Sequence, residues 1–99
     1  MSENLLNLVN IIRNRKNKDR SYTSSLLSGG LSKCIDKMEE EFDELKEALN
    51  DKSNIVHEAA DTIYHILVTL EAADIKFEDV LKELEDRKKQ SGIEEKNNR

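Results

Sequence analysis

Two short groups of carboxylates carry the chemistry this sequence can offer. The first lies in "KMEEEFDELKEAL", residues 37 to 49, where Glu40, Glu41 and Glu44 stand three and four positions apart and so share one side of a helix. The second lies in "HEAAD", residues 57 to 61, where Glu58 and Asp61 are three apart beside Ala59 and Ala60, small residues that let a neighbouring helix come close. If the two segments form a helical hairpin, four or five carboxylates converge. Anions gathered away from water without counter-charge cost several kcal/mol each, so convergence calls for cations. Ligands that are all oxygen select hard ions, and Mg²⁺ in particular takes a few carboxylates and leaves its other positions to water and substrate phosphates. Such ions orient a phosphate chain, neutralise it and lower the pKa of an attacking water. An acidic run by itself is ordinarily a solvated face, and Glu39, Asp43 and Glu47 are read that way. Spacing alone leaves a metal site and a solvated surface as open alternatives.

The elements that must position these groups are helical. Proline is absent, glycine occurs three times, and Leu, Glu, Lys and Ala dominate the middle of the chain. Leu5, Leu6, Val9 and Ile12 predict an amphipathic helix from residue 3 to about 17. The stretch "SYTSSLLSGGLS" reads as a short helical turn and a break at Gly29 and Gly30. From Leu31 the stripe Leu31, Ile35, Met38, Phe42, Leu45, Leu49 steps by four and three and predicts a buried seam. Asp51 or Ser53 is a candidate cap for the next helix, whose wide apolar face of Ile55, Val56, Ala59, Ala60, Ile63, Leu67 and Leu70 marks it as the most buried. Phe77, Val80, Leu81 and Leu84 predict a last helix to about residue 89, before a polar tail over residues 90–99. Four helices with short connections predict an all-α, antiparallel four-helix bundle in a single domain, residues 1–99.

Composition narrows the class of function. The chain has 99 residues, 36% apolar and 37% charged, so its private core is thin and a homodimer is expected to bury more apolar surface. The net charge of −5 divides unevenly: residues 1–36 carry +3, residues 37–86 carry −11 and residues 87–99 carry +3. No continuous basic face results, which argues against nucleic acid as a partner. No apolar run reaches the length of a membrane span, and the single Cys34 cannot form an intramolecular disulfide, so a soluble, reducing, cytoplasmic setting is expected.

These segments resemble a known family, the phosphoribosyl-ATP pyrophosphohydrolases of histidine biosynthesis, within the MazG-like all-α nucleoside triphosphate pyrophosphatases. "EExxE" followed by "ExxD" resembles the superfamily's Mg²⁺ signature. "RSYTSSLLSGGLSKCIDKMEEEFDELKEAL", "HEAADTIYHILVTL", "FEDVLKELEDR" and the closing "SGIEEKNNR" each look like a segment of the family. The resemblance implies hydrolysis of 1-(5-phosphoribosyl)-ATP to 1-(5-phosphoribosyl)-AMP and pyrophosphate. It implies Mg²⁺ ligands at Glu40, Glu41, Glu44, Glu58 and Asp61, with Glu40 or Glu41 activating the water. Tyr22 of the "SYT" element and Lys96 of the tail are implied as substrate-binding residues. Ser25 stands where the family often has Lys, and Arg20 is expected to supply that charge. Lys33 and Lys37 precede the carboxylates on the same helix and are expected to meet phosphate. Within the apolar helix His65 reads as a packing residue, with a hydrogen bond to a carboxylate as the alternative; Tyr64 reads as core and His57 as exposed. Two other functions remain open: a related pyrophosphatase acting on another nucleotide, and a non-catalytic helical interaction protein.

Overall fold

The structure, a computed structural model, describes residues 2–15 and 22–88. Arg20, Lys96 and the polar tail lie outside the described residues. Among the described residues there are five helices and no strand: α1 (Ser2–Arg15), α2 (Tyr22–Ser28), α3 (Gly30–Asp51), α4 (Ile55–Ala72) and α5 (Phe77–Lys88). The all-α expectation is met, and the long helices fall where apolar spacing puts them. The stretch "YTSSLLS", read as a short helical turn before a break, is a helix of seven residues, α2. Ser and Thr disfavour helix interiors because their hydroxyls compete for the backbone, but burial of Thr23 and Leu26 overrides that weak preference here.

The breaks have local causes. Gly30 enters α3 with φ +87°, a conformation a side chain would resist. At the other end of α3, Lys52 turns left-handed (φ 58°, ψ 40°), and its N–H returns to the Ala48 carbonyl. Asp51 and Ser53 do not cap α4. Asp51 closes α3 instead, and Asn54, also left-handed at φ 55°, holds the cap position without a side-chain bond. Asparagine tolerates that region better than most residues. Asp74 (φ 60°) then ends the turn after α4, with the Ile75 N–H returning to the Leu70 carbonyl.

The core joins α1, α2, α4 and the start of α5 through Val9, Ile12, Leu26, Leu67, Val68 and Phe77, with Cys34 as the contribution of α3. The expected α3 seam is a correction. Leu31, Ile35, Phe42 and Leu49 are exposed, and the residues of α3 that turn inward are Cys34 and Ala48, with Glu41 half-buried between them at seven-residue spacing. Met38 and Leu45 of the same stripe are half-buried, so the expected seam is covered only in part. Ile55, Val56 and Ile63 of α4 are exposed as well, so the wide face expected there is only partly covered, although α4 does hold the most buried residues of any helix. No helix among the described residues is long and apolar enough to cross a membrane.

Arg13 ties the ends of three helices. Its Nε lies 3.2 Å from Glu71 Oε2 on α4 and its Nη2 2.8 Å from Glu78 Oε1 on α5. The guanidinium bond, followed by a backbone bond at the start of α5, holds the Glu78 carboxyl down at about 2. Because the folded-state value is depressed, the contribution is complete above the ordinary value of 4.5 and is lost as pH falls towards about 2. Glu78→Gln is therefore expected to melt below the parent chain at neutral pH, with the gap closing across that interval. A gap in melting temperature that does not change with pH would mean the charge is not what matters.

Candidate active site

Helices α3 and α4 form an antiparallel hairpin whose contact is the most extensive in the fold. Two buried threonines of α4 reach across it. The Thr62 hydroxyl lies 2.7 Å from the Glu58 carbonyl on its own helix and 3.2 Å from the Glu41 carbonyl on α3. Thr69 repeats the arrangement with the His65 carbonyl at 2.7 Å and the Cys34 carbonyl at 3.3 Å. This pairing sets Glu41 and Glu58 against each other.

Glu41, Glu44 and Glu58 each offer an oxygen within 4.8 Å of the others, and Glu58 is shared with a second group of the same reach formed with His57 and Asp61. Oε2 of Glu41 and Oε2 of Glu58 are buried without a hydrogen-bond partner among the described residues. Burial, then the charge of Glu44, pushes the Glu41 carboxyl above the ordinary carboxylate range. Burial, then a hydrogen bond with Glu44, does the same to Glu58. A buried acceptor left without a partner costs free energy, and two within one group of anions make a strained set of donors of the kind hard divalent ions select.

The other expected residues take distinct places. Glu40 is exposed and lies outside this cluster, its Oε2 3.1 Å from Lys37 Nζ. Adjacent helix positions point roughly 100° apart, so Glu40 and Glu41 cannot both face α4. Asp61 joins through its helix neighbours, with His57 Nε2 3.2 Å from its Oδ2. Glu39, Asp43 and Glu47 are exposed as read, and Lys33 is exposed one turn before Lys37. Tyr22, on α2, places its hydroxyl 2.8 Å from His65 Nε2, and the buried His65 ring has Nδ1 2.7 Å from the Asp61 carbonyl. So the packing role read for His65 is joined by a polar one: it connects α2 to a residue of the acidic cluster through backbone. The half-buried Tyr64 bonds through its hydroxyl to Thr23. Thr62 and the pairing of His57 with Asp61 were not foreseen, and the usable signals were a Thr inside an Ala-rich helix and the i, i+4 spacing of His57 and Asp61.

A helical hairpin that brings acidic side chains from both arms to one spot, two of their oxygens buried, makes an all-α protein with a candidate cation site between α3 and α4. The profile of the phosphoribosyl-ATP pyrophosphohydrolase family matches residues 6–88. The phosphoribosyl-ATP pyrophosphatase of Rhizobium etli is 43% identical over 89 residues, spanning 88% of this chain and 83% of that protein. The enzyme of the same name from Paracoccus denitrificans is 43% identical over 96 residues, 93% of this chain and 89% of that one. The histidine biosynthesis bifunctional protein HisIE of Helicobacter hepaticus is 48% identical over 96 residues, 93% of this chain and 42% of that longer protein. No solved structure matches the chain. The chain belongs to the phosphoribosyl-ATP pyrophosphohydrolase family.

Proposed function

We propose that this chain hydrolyses 1-(5-phosphoribosyl)-ATP at the bond between its α and β phosphates, consuming one water, releasing pyrophosphate and leaving 1-(5-phosphoribosyl)-AMP, the second step of histidine biosynthesis. The observation that carries the reading is the pair of buried, unpartnered oxygens of Glu41 and Glu58, set within a cluster of carboxylates in a chain of this family. Donors that are all oxygen, short separations and two orphaned acceptors fit a hard divalent cation, which we take to be Mg²⁺. Glu41, Glu44, Glu58 and Asp61 would hold it. When bound, it supplies charge that neutralises the phosphates and favours ionisation of the attacking water.

The remaining work falls to the chain's own groups. Glu40, held at the rim beside Lys37, orients the water. Lys37 and Lys33 offset phosphate charge, together with Arg20 and Lys96. His57 keeps Asp61 turned towards Glu58. We further propose a homodimer in which the exposed stripe of Leu31, Ile35, Phe42 and Leu49 meets its copy, completing an antiparallel bundle of the long helices in the cytoplasm.

The test offers phosphoribosyl-ATP and a panel of nucleoside triphosphates with Mg²⁺ and measures released pyrophosphate. Turnover of phosphoribosyl-ATP in clear preference to the panel is expected. Turnover of the panel alone would move the chain to a related pyrophosphatase, and no turnover would leave a helical interaction protein. Sedimentation of the same preparation at twice the chain mass supports the dimer, and a monomer at assay concentration removes it.

A further inference from the structure

We infer that Tyr22 determines specificity by stacking against the substrate's adenine base; this deepens the function proposed above at the same site. The chain has four aromatic rings besides its histidines. Phe77 is in the core, Tyr64 is half-buried with its hydroxyl bonded to Thr23, and Phe42 belongs to the apolar stripe of α3. Tyr22 is different. It leaves 56% of its surface open, yet its hydroxyl is anchored to a histidine that is only 5% exposed.

One proton position in this anchor is set by its far end. A carbonyl only accepts, so the 2.7 Å contact between His65 Nδ1 and the Asp61 carbonyl places a proton on Nδ1. The other ring nitrogen, Nε2, holds the Tyr22 hydroxyl at 2.8 Å. The hydroxyl of Tyr22 is thus engaged inward, and the residue's open surface is that of its ring. What the residue offers outward is an aromatic face, which suits a flat base and does not suit an anion.

Its location agrees. The Tyr22 and His65 rings meet edge-on at 72° with centroids 5.7 Å apart. The hydroxyl lies within the electrostatic reach of Glu41, Asp61, Glu40 and Lys37. The bond to be cut begins at the α phosphate, and a single ribose separates that phosphate from the base. With the triphosphate at the carboxylates, the base lies one ribose away from the α phosphate, and the open ring of Tyr22 is joined to Asp61 of that cluster through His65.

The experiment uses the full chain with Mg²⁺. Tyr22→Leu is expected to raise KM for phosphoribosyl-ATP by about tenfold or more, the scale of one base stacked on an aromatic ring, with kcat changed far less. Tyr22→Phe keeps the ring without its anchor and is expected to fall between the parent and Leu. Tripolyphosphate, which has no base, serves as a competitive inhibitor whose Ki is expected to be the same in the parent and in Tyr22→Leu. Circular dichroism melts establish that each variant is folded. An unchanged KM in Tyr22→Leu overturns the inference. So do equal losses for Leu and Phe, and so does a rise in tripolyphosphate Ki that matches the rise in KM, since Tyr22 would then serve the phosphates or the fold. If the parent chain fails to turn over phosphoribosyl-ATP, the proposed function falls, and calorimetric binding of ATP against tripolyphosphate decides Tyr22 separately. A preference for ATP that is lost in Tyr22→Leu upholds the base contact, and a preference that persists overturns it.

Discussion

Glu41→Gln is expected to melt at a higher temperature than the parent chain in the absence of divalent metal, and to be nearly inactive. The substitution keeps the shape of the side chain and removes one negative charge from a group in which Glu41, Glu44 and Glu58 oxygens lie within 4.8 Å of each other. It also replaces an unpartnered buried oxygen with an amide that can donate to a neighbouring carboxylate. The sign with pH follows from the raised carboxyl of Glu41. A group that resists ionisation in the folded state binds its proton more tightly there than in the unfolded chain, so folding is weakened as pH rises above the ordinary 4.5. The advantage of the variant is therefore expected near neutral pH and absent in acid. On the proposed reading Mg²⁺ reverses the order, because a cation that binds only the folded state stabilises it by mass action, and the variant has lost a ligand. Turnover is expected to fall by about 10² to 10³, the range for removing one preorganised electrostatic contact at a reacting centre. Melting curves with and without Mg²⁺, read beside activity, decide the matter. A variant that is inactive yet shows the parent's melting behaviour in both conditions would take Glu41 out of the cation site.

The second large effect concerns α2. Leu26→Ala is expected to cost about 2 to 5 kcal/mol, the range for emptying a buried leucine site, against a total stability of about 5 to 15 kcal/mol for a small domain. Leu26 is 1% exposed and belongs to the core cluster that includes Val9, Ile12, Cys34, Leu67 and Val68, while its carbonyl accepts the Cys34 thiol at 3.3 Å. A seven-residue helix has no stability of its own in water, so α2 exists because it is docked. The docking points are Leu26, the Thr23 to Tyr64 bond and the Tyr22 to His65 bond. Chemical denaturation measures the loss. A value below about 1 kcal/mol would mean that α2 does not depend on the core it touches.

These expectations show which parts of the molecule were legible before its structure. The three-residue spacing of Glu41 with Glu44 and of Glu58 with Asp61 already places each pair on one helix face, and a hairpin brings the faces together. Periodicity cannot say which face of a helix the rest of the chain covers. Leu31, Ile35, Met38, Phe42, Leu45 and Leu49 share one side of α3, yet only Met38 and Leu45 are half-covered and the other four are exposed, while Cys34, Glu41 and Ala48 turn inward. The same blindness to the neighbour hides the division between Glu40 and Glu41, two adjacent glutamates of which one meets α4 and the other meets Lys37. The full length of α2 was hidden for another reason, although a helical turn was read there. Local preference argues against a run of Ser and Thr, and the tertiary burial that overrules it is invisible in a window of seven residues.

The two threonine hydroxyls of α4 have a consequence for how the hairpin could vary. Thr62 and Thr69 are seven residues apart, and so are the carbonyls they meet at Glu41 and Cys34. Sliding one helix along the other by a turn, about 5.4 Å, breaks both rungs together, so the pair acts as an index that locks the axial position of each arm. One rung ends on the backbone of Glu41 itself. The residues Lys52 to Asn54 between the arms are in that respect a tether and not a ruler: their length and sequence can drift while the acidic cluster stays in register.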